Sequence, residues 1–325
     1  MKNLRYVQIE RENELHFEMA SRLWIPFIKE VNEHDGIQRS EEKIANGLKK
    51  RISIQGSRKD MHFEIAFLNE EPLGIAMFAI DLGTVYGLLE KGYGTIMGFY
   101  IQPQFRRKGF GTLFCQHIEE TLYLDGAKRM YICPDAVTGE PFWASNDYTD
   151  SGKIDPDDKK PIYIKELTNM IDYTNCQLIP LNQRTSAEIC QWEYEKPYDV
   201  YNFKGHPNRY LFDQSTWGTE QFCLVYRDKM IGQVSCQLDG ADLWVGWSMV
   251  PQLCGKGNGG DFVKRCVKEL RRFTGHTGRM LLRVAAWNRR AICAYQEAGF
   301  AYVEKIQDEI AYSNHMEDFW VMELL

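Results

Sequence analysis

Apolar and polar positions along the chain follow two different periods. The runs "HFEIAFLN" (62–69) and "PLGIAMFAID" (72–81) are short and apolar, and a tight turn at Glu70 and Glu71 between them predicts a strand hairpin. "TIMGFYIQP" (95–103) predicts a further strand. In 111–126 the period becomes helical, with Phe110, Phe114, Ile118 and Leu122 on one face at i+4 steps. "KRMYICP" (128–134) returns to a strand pattern.

The same order recurs further on. "EQFCLVYRDKMIGQVSCQLDG" (220–240) predicts a hairpin around Arg227-Asp228-Lys229, and "DLWVGWSMVP" (242–251) a strand. "DFVKRCVKELRRF" (261–273) predicts a helix with Phe262, Val263, Cys266, Val267 and Leu270 on one side, and "GRMLLRVAAW" (278–287) the next strand. Pro103 and Gly109-Phe110-Gly111 reappear 148 positions on as Pro251 and Gly257-Asn258-Gly259. Three landmarks at one offset point to a duplicated domain. The stretch "IKELTNMIDYTNC" (164–176) carries no strong pattern, so the joint is placed there, giving domains 1–170 and 171–325.

In each copy a strand and a proline lead into a basic or glycine-rich turn that opens a helix. The first amides of a helix lack intrahelical partners, and with the helix dipole they form an anion site. Glycine lets a diphosphate approach those amides, and Arg106, Arg107, Lys108 and Lys256 add positive charge. An ATP-binding loop is excluded because Lys256 is followed by glycine rather than a hydroxyl residue. A dinucleotide loop fits "GKGNGG" (255–260) by its letters. The following strand, however, ends "RVAAWNRR", basic where that fold needs an acid.

The run Arg106-Arg107-Lys108-Gly109-Phe110-Gly111 resembles the [RQ]-x-x-G-x-[GA] diphosphate loop of the GNAT superfamily of acetyltransferases. In the second copy the 148-residue offset selects Cys254-x-x-Gly257-x-Gly259, with cysteine where arginine or glutamine is usual; Gln252-x-x-Gly255-x-Gly257 fits the letters in another register. The segment "VAAWNRRAICAYQEAGFAYV" (284–303) is similar to the family's second signature at Asn288, Ala291, Tyr295, Gly299 and Phe300. The resemblance implies an α/β fold of two GNAT-like acyl-CoA N-acyltransferase domains, each a mixed, mostly antiparallel twisted sheet flanked by helices. It implies acetyl-CoA as cosubstrate. It places coenzyme A on Ile101, Arg106, Arg107, Lys108, Gly109, Phe110, Gly111 and Thr112 in the first half. In the second half it places the molecule on Met249, Cys254, Gly255, Lys256, Gly257, Asn258, Gly259 and Asn288. The two strands beside each glycine turn are expected to splay, so that the pantetheine arm bonds the main chain at Ile101 and Met249.

The same resemblance assigns Tyr295 as the general acid to the departing thiolate after direct attack by an amine. A tyrosine that only packs and hydrogen-bonds is the competing reading. The first half has no such acid: aligning Asp147-Tyr148 with Gly299-Phe300 puts Trp143 at the tyrosine position and Ala136 at the asparagine position. That half either binds coenzyme A without turnover, uses another residue such as Tyr148, or is a structural partner. Trp192, Glu193, Tyr194 and Tyr198, within "EICQWEYEKPYDVYNFKG" (188–205), form a candidate acceptor wall for an amine or an aromatic packing surface. Glu193, Glu195 and Asp242 are candidate bases. The helical "SRLWIPFIKEVNEHDG" (21–36) is the matching region of the first half, and its His34 reads as a surface residue.

Bulk properties narrow the class further. The 325 residues suit two domains, and 44% hydrophobic content supports two cores. A net charge of −6 argues against a nucleic-acid binder. The polar start "MKNLRYVQIERENEL" is no signal peptide, and no apolar run reaches the ~20 residues of a membrane span. Nine cysteines without a C-x-x-C pair read as reduced thiols in a cytoplasmic protein, and no spacing suits a metal. The expectation is a cytoplasmic N-acetyltransferase of a small-molecule or peptide amine. The rival is a non-catalytic coenzyme A sensor, at least in the N-terminal half.

Overall fold

The computed structural model describes residues 4–54, 58–83, 89, 91–135, 139–156, 159–203, 209–310 and 316–324. The chain forms two compact units, Met1–Leu167 and Thr168–Leu325. In the N-terminal unit β1 (Leu4–Gln8), α1 (Glu14–His34) and α2 (Glu41–Ile54) precede the hairpin β2 (Met61–Leu68) and β3 (Glu71–Ile80). Then come β4 (Gly94–Ile101), α3 (Phe110–Leu124), β5 (Arg129–Ile132), α4 (Gly139–Ala144), β6 (Thr149–Ile154) and β7 (Pro161–Glu166). The sheet order is β1-β2-β3-β4-β5-β7-β6. Every pair is antiparallel except β4 with β5.

The C-terminal unit repeats this plan. Its elements are β8 (Gln177–Pro180), α5 (Gln183–Ile189), α6 (Arg209–Phe212), β9 (Gln221–Tyr226), β10 (Lys229–Asp239) and β11 (Asp242–Met249). They continue with α7 (Gly259–Thr274), β12 (Met280–Ala285), α8 (Arg289–Glu297), β13 (Ala301–Glu309) and β14 (Met316–Leu324). Read from β8, the order β8-β9-β10-β11-β12-β14-β13 is that of the first sheet, and the one parallel pair, β11 with β12, falls at the same place. The two mixed sheets with flanking helices are those expected from the repeat.

The cores show why these segments fold as they do. The α3 stripe of Phe110, Phe114, Ile118 and Leu122 is buried, as its period requires. On α7, Phe262, Val263, Cys266 and Leu270 are buried, and Glu269 joins them because Arg265 at 3.0 Å and Arg272 at 2.8 Å neutralise it. Trp24 of α1 fills the N-terminal core edge-on to Phe63, with ring centroids 5.0 Å apart. Gly98 of β4 leaves room for it, since a Cβ there would lie 2.6 Å from Trp24 Cη2. Trp24→Ala is expected to destabilise this unit by about 3–5 kcal/mol, the usual cost of an emptied aromatic core site. Urea unfolding followed by circular dichroism would show an earlier transition; an unchanged midpoint would contradict that packing.

One local detail differs from the sequence reading. The first hairpin turns at Asn69 and Glu70, not at Glu70 and Glu71: Leu68 pairs with Glu71, and Asn69 takes a φ of 57°. Asparagine tolerates the left-handed region better than glutamate, which places the turn one residue earlier. Ala136 lies outside the described residues.

Candidate active site

The site in the C-terminal unit is built where β11 meets α7. After Met249 the chain makes a 3-10 turn at Pro251–Leu253, passes Cys254 in extended conformation and enters two left-handed glycines, Gly255 (φ 72°) and Gly257 (φ 81°). The N-terminal unit takes the same path 148 residues earlier, with a 3-10 turn at Pro103–Phe105, then Arg107 (φ 60°) and Gly109 (φ 82°). The conformations fix the register in which Cys254 stands opposite Arg106. A Cβ on Gly255 or Gly257 would meet nothing within 4 Å. The left-handed backbone favours glycine at both positions, and no protein atom crowds the space beside them. Gly259 is different: its Cβ would lie 2.8 Å from that of Ala294, so α7 begins hard against α8. The amides of Gly255, Gly257, Gly259 and Gly260 have no acceptor among the described residues.

The parallel strands beside the turn pair only at their first residues. β11 and β12 are matched at Leu243 with Met280 and at Trp244 with Leu281, then part. β4 and β5 are likewise matched at Gly94 with Met130 and at Thr95 with Tyr131. In the C-terminal unit a cavity of about 450 Å³ reaches from the glycine turn to α8. Gly255, Gly257 and Gly259 line one end, and Asn288 and Tyr295 line the α8 wall. Met249, Trp247, Tyr194, Tyr198 and Tyr201 line it too.

Asn288 caps α8 by accepting from the Ala291 amide at 3.1 Å, and its amide nitrogen donates to the Tyr201 hydroxyl at 3.4 Å. The Tyr295 ring lies edge-on to Trp247, with centroids 6.2 Å apart. Burial pushes the Tyr295 phenol well above its ordinary value, Tyr201 adds to the push, and Trp247 opposes it. The Tyr194 hydroxyl donates to the Met249 carbonyl at 2.9 Å, and its phenol is also pushed up by burial. That carbonyl also accepts from the Cys254 thiol at 3.7 Å.

Several proposed residues lie elsewhere. Trp192 is buried at 5% exposure and does not line the cavity, and Glu193 is exposed outside it. None of Glu193, Glu195 and Asp242 lines the cavity. Asp242 pairs with Arg279 at 3.6 Å, at the opposite end of β11 from Met249. Glu297 is the only carboxylate among the described lining residues. Lys256 and Asn258 belong to the turn without lining the cavity, and Asn258 is buried as the α7 cap residue. Trp247, Phe319 and Arg290 line it without having been singled out from the sequence. Arg290 was legible as the charge two places after Asn288. Among the described residues no group of His, Cys, Asp or Glu side chains could hold a metal ion, and no helix is long and apolar enough to cross a membrane. The nine cysteines are free.

Residues 22–139 match the model of the Acetyltransferase (GNAT) family. The GNAT match is thus confined to residues of the N-terminal unit. Acetyl-CoA is the cosubstrate of this family. Similar solved structures include a spermidine N-acetyltransferase from Vibrio cholerae in complex with CoA and spermine, 18% identical over 47% of this chain and 96% of that one, with a TM-score of 0.39. Others are an acetyltransferase from Thermus thermophilus (15% identical, 51% of this chain and 97% of that one, TM-score 0.40) and the PaiA N-acetyltransferase from Thermoplasma acidophilum in complex with coenzyme A (15%, 51% and 99%, TM-score 0.39). No curated protein matches the chain.

The groove of the N-terminal unit, which holds the matched residues, differs from that of the C-terminal unit. The Tyr148 amide donates to the Trp143 carbonyl at 3.1 Å, just as the Phe300 amide donates to that of Tyr295 at 2.9 Å, and Asp147 and Gly299 are both left-handed. Trp143 thus occupies the place of Tyr295, and Phe142 that of Ala294. Phe142 lies 3.0 Å from where a Cβ on Gly111 would be and stacks on Phe99 at 5.5 Å. Trp143 is buried edge-on to Phe99 at 5.3 Å. Tyr148 is buried beside Cys115 and Glu119, and burial first, then Cys115, push its phenol well above its ordinary value. Arg106 turns back, donating from Nε to the Ile101 carbonyl at 2.7 Å and pairing with Glu30 at 2.7 Å. Lys108 donates to the Gln104 carbonyl at 2.7 Å, and Phe110 is buried against Phe105. The amides of Arg107, Gly109, Gly111 and Thr112 have no acceptor among the described residues.

Proposed function

We propose that the C-terminal unit is an acetyl-CoA-dependent N-acetyltransferase acting on a small-molecule or peptide amine. One observation carries this reading: a single cavity joins four glycines of the helix-opening turn to Asn288 and Tyr295. Unpartnered amides at Gly255, Gly257, Gly259 and Gly260, with the N-terminal dipole of α7, suit the diphosphate of coenzyme A. The parting of β11 from β12 leaves main chain open near Met249 for the pantetheine amides. When bound, acetyl-CoA supplies an activated acetyl group that passes to the amine, with coenzyme A leaving as the thiol. Tyr295 holds the proton for that sulfur. Its raised phenol stays protonated across the neutral range, and the desolvation that raises it also favours the neutral thiol over the thiolate. Tyr194, Tyr198 and Tyr201 form the wall against which the amine is held.

The N-terminal unit is read as a domain without turnover, because Trp143 replaces the acid and Phe142 fills the space over Gly111. The test is thiol release from acetyl-CoA across a panel of amines. Release above background in the wild type is expected, and its absence over a broad panel would overturn the reading.

The pH dependence follows from Tyr295. An acid whose pKa is raised is fully protonated below its ordinary value of about 10. The rate is therefore expected to rise as the acceptor amine loses its proton and not to fall again below pH about 10. A pH–kcat profile with a descending limb near pH 8 would contradict a protonated Tyr295 as the donor.

A further inference from the structure

The C-terminal turn lacks charge where its N-terminal counterpart carries it. Cys254 stands opposite Arg106, and its Sγ lies 3.7 Å from the Met249 carbonyl, the equivalent of the carbonyl that Arg106 bonds. We propose that Arg290, projecting from the first turn of α8, holds the cofactor's diphosphate in the C-terminal cleft. This rests on reading that cleft as a coenzyme A site.

Three observations support the assignment. Arg290 lines the same cavity as Cys254, Gly255 and Gly257. Its guanidinium lies 3.8 Å from the centre of the Tyr198 ring, which fixes where the charge sits. No carboxylate pairs with it among the described residues. Arg283, by contrast, is paired with Asp308, and Arg279 with Asp242 and Glu323. A guanidinium held in place without a carboxylate partner is poised for a bidentate anion.

The electrostatics place the charge at the turn. Burial raises both Tyr194 and Cys254, and at both the charge of Arg290 opposes the rise. Burial is likewise the largest cause of the rise at Tyr295 and Tyr201. The guanidinium thus acts on Cys254 of the glycine turn and on Tyr194, whose hydroxyl bonds the Met249 carbonyl. An acceptor carrying its own anionic group is the competing source of the same chemistry.

Calorimetric titration of the full chain separates these cases. With coenzyme A and with 3′-dephospho-CoA, Arg290→Ala is expected to bind about 10- to 100-fold more weakly than wild type, the usual range for losing a charge-assisted contact. Arg290→Lys should fall between, because an ammonium keeps the charge but not the fork. Circular dichroism should be unchanged, since the side chain is exposed. Equal binding by wild type and Arg290→Ala would overturn the proposal. So would a loss seen with coenzyme A but absent with 3′-dephospho-CoA, which would assign Arg290 to the 3′-phosphate. Unchanged cofactor binding with a raised KM for the acceptor would assign it to the acceptor instead. A wild type that binds neither compound would remove the coenzyme A site itself, and this proposal with it.

Discussion

Tyr295→Phe is expected to lower kcat for acetyl transfer by about 10²-fold or more, the range of a positioned general acid. The change removes one oxygen and keeps the ring. The edge-on contact with Trp247 at 6.2 Å and the neighbouring Phe300 ring at 6.2 Å remain, so α8 should keep its place. Acetyl-CoA affinity should stay within about twofold, because the hydroxyl acts on the leaving sulfur rather than on the diphosphate. Steady-state kinetics with free-thiol detection read both quantities. A variant with unchanged kcat would make Tyr295 a packing residue, and a loss confined to KM would make it a binding residue.

Ala294→Phe is expected to abolish coenzyme A binding in the C-terminal unit, weakening it by about 100-fold or more, because the added ring excludes the ligand from space it must fill. The protein itself provides the precedent. Phe142 occupies the equivalent position, lies over Gly111 and stacks on Phe99, the residue matching Trp247. The ring therefore has a conformation available in this fold, and the variant should remain folded by circular dichroism while thiol release stops. Retained activity would show that the cavity between α7 and α8 is not the cofactor's path. It would also show that Phe142 is no obstacle in the N-terminal unit.

Much of this arrangement was legible in the residues. The 148-residue offset between the two prolines and glycine pairs survives in three dimensions as matched left-handed residues, because the turn geometry depends on local conformation. The α3 and α7 stripes were legible because a buried helix face repeats every 3.6 residues. The outer strands were not. β13, "AYVEKIQDE", is an edge strand exposed over nearly its whole length, so no apolar alternation marks it. The site divides in the same way. Tyr295 and Asn288 were found because their spacing is local. The positions of Trp247 and Arg290 in the cavity, and the removal of Trp192, Glu193 and Asp242 from it, depend on tertiary folding. Phe142 shows the limit most directly: its letter is unremarkable, and its effect appears only where Gly111 meets α4.

The most direct test is a crystal structure of the full chain with coenzyme A. Diphosphate oxygens are expected within about 3 Å of the amides of Gly255, Gly257 and Gly259, with the thiol directed towards Tyr295. Coenzyme A bound at the Gly109 turn with the C-terminal cleft empty, or a C-terminal cleft closed by side chains in the presence of saturating ligand, would contradict it.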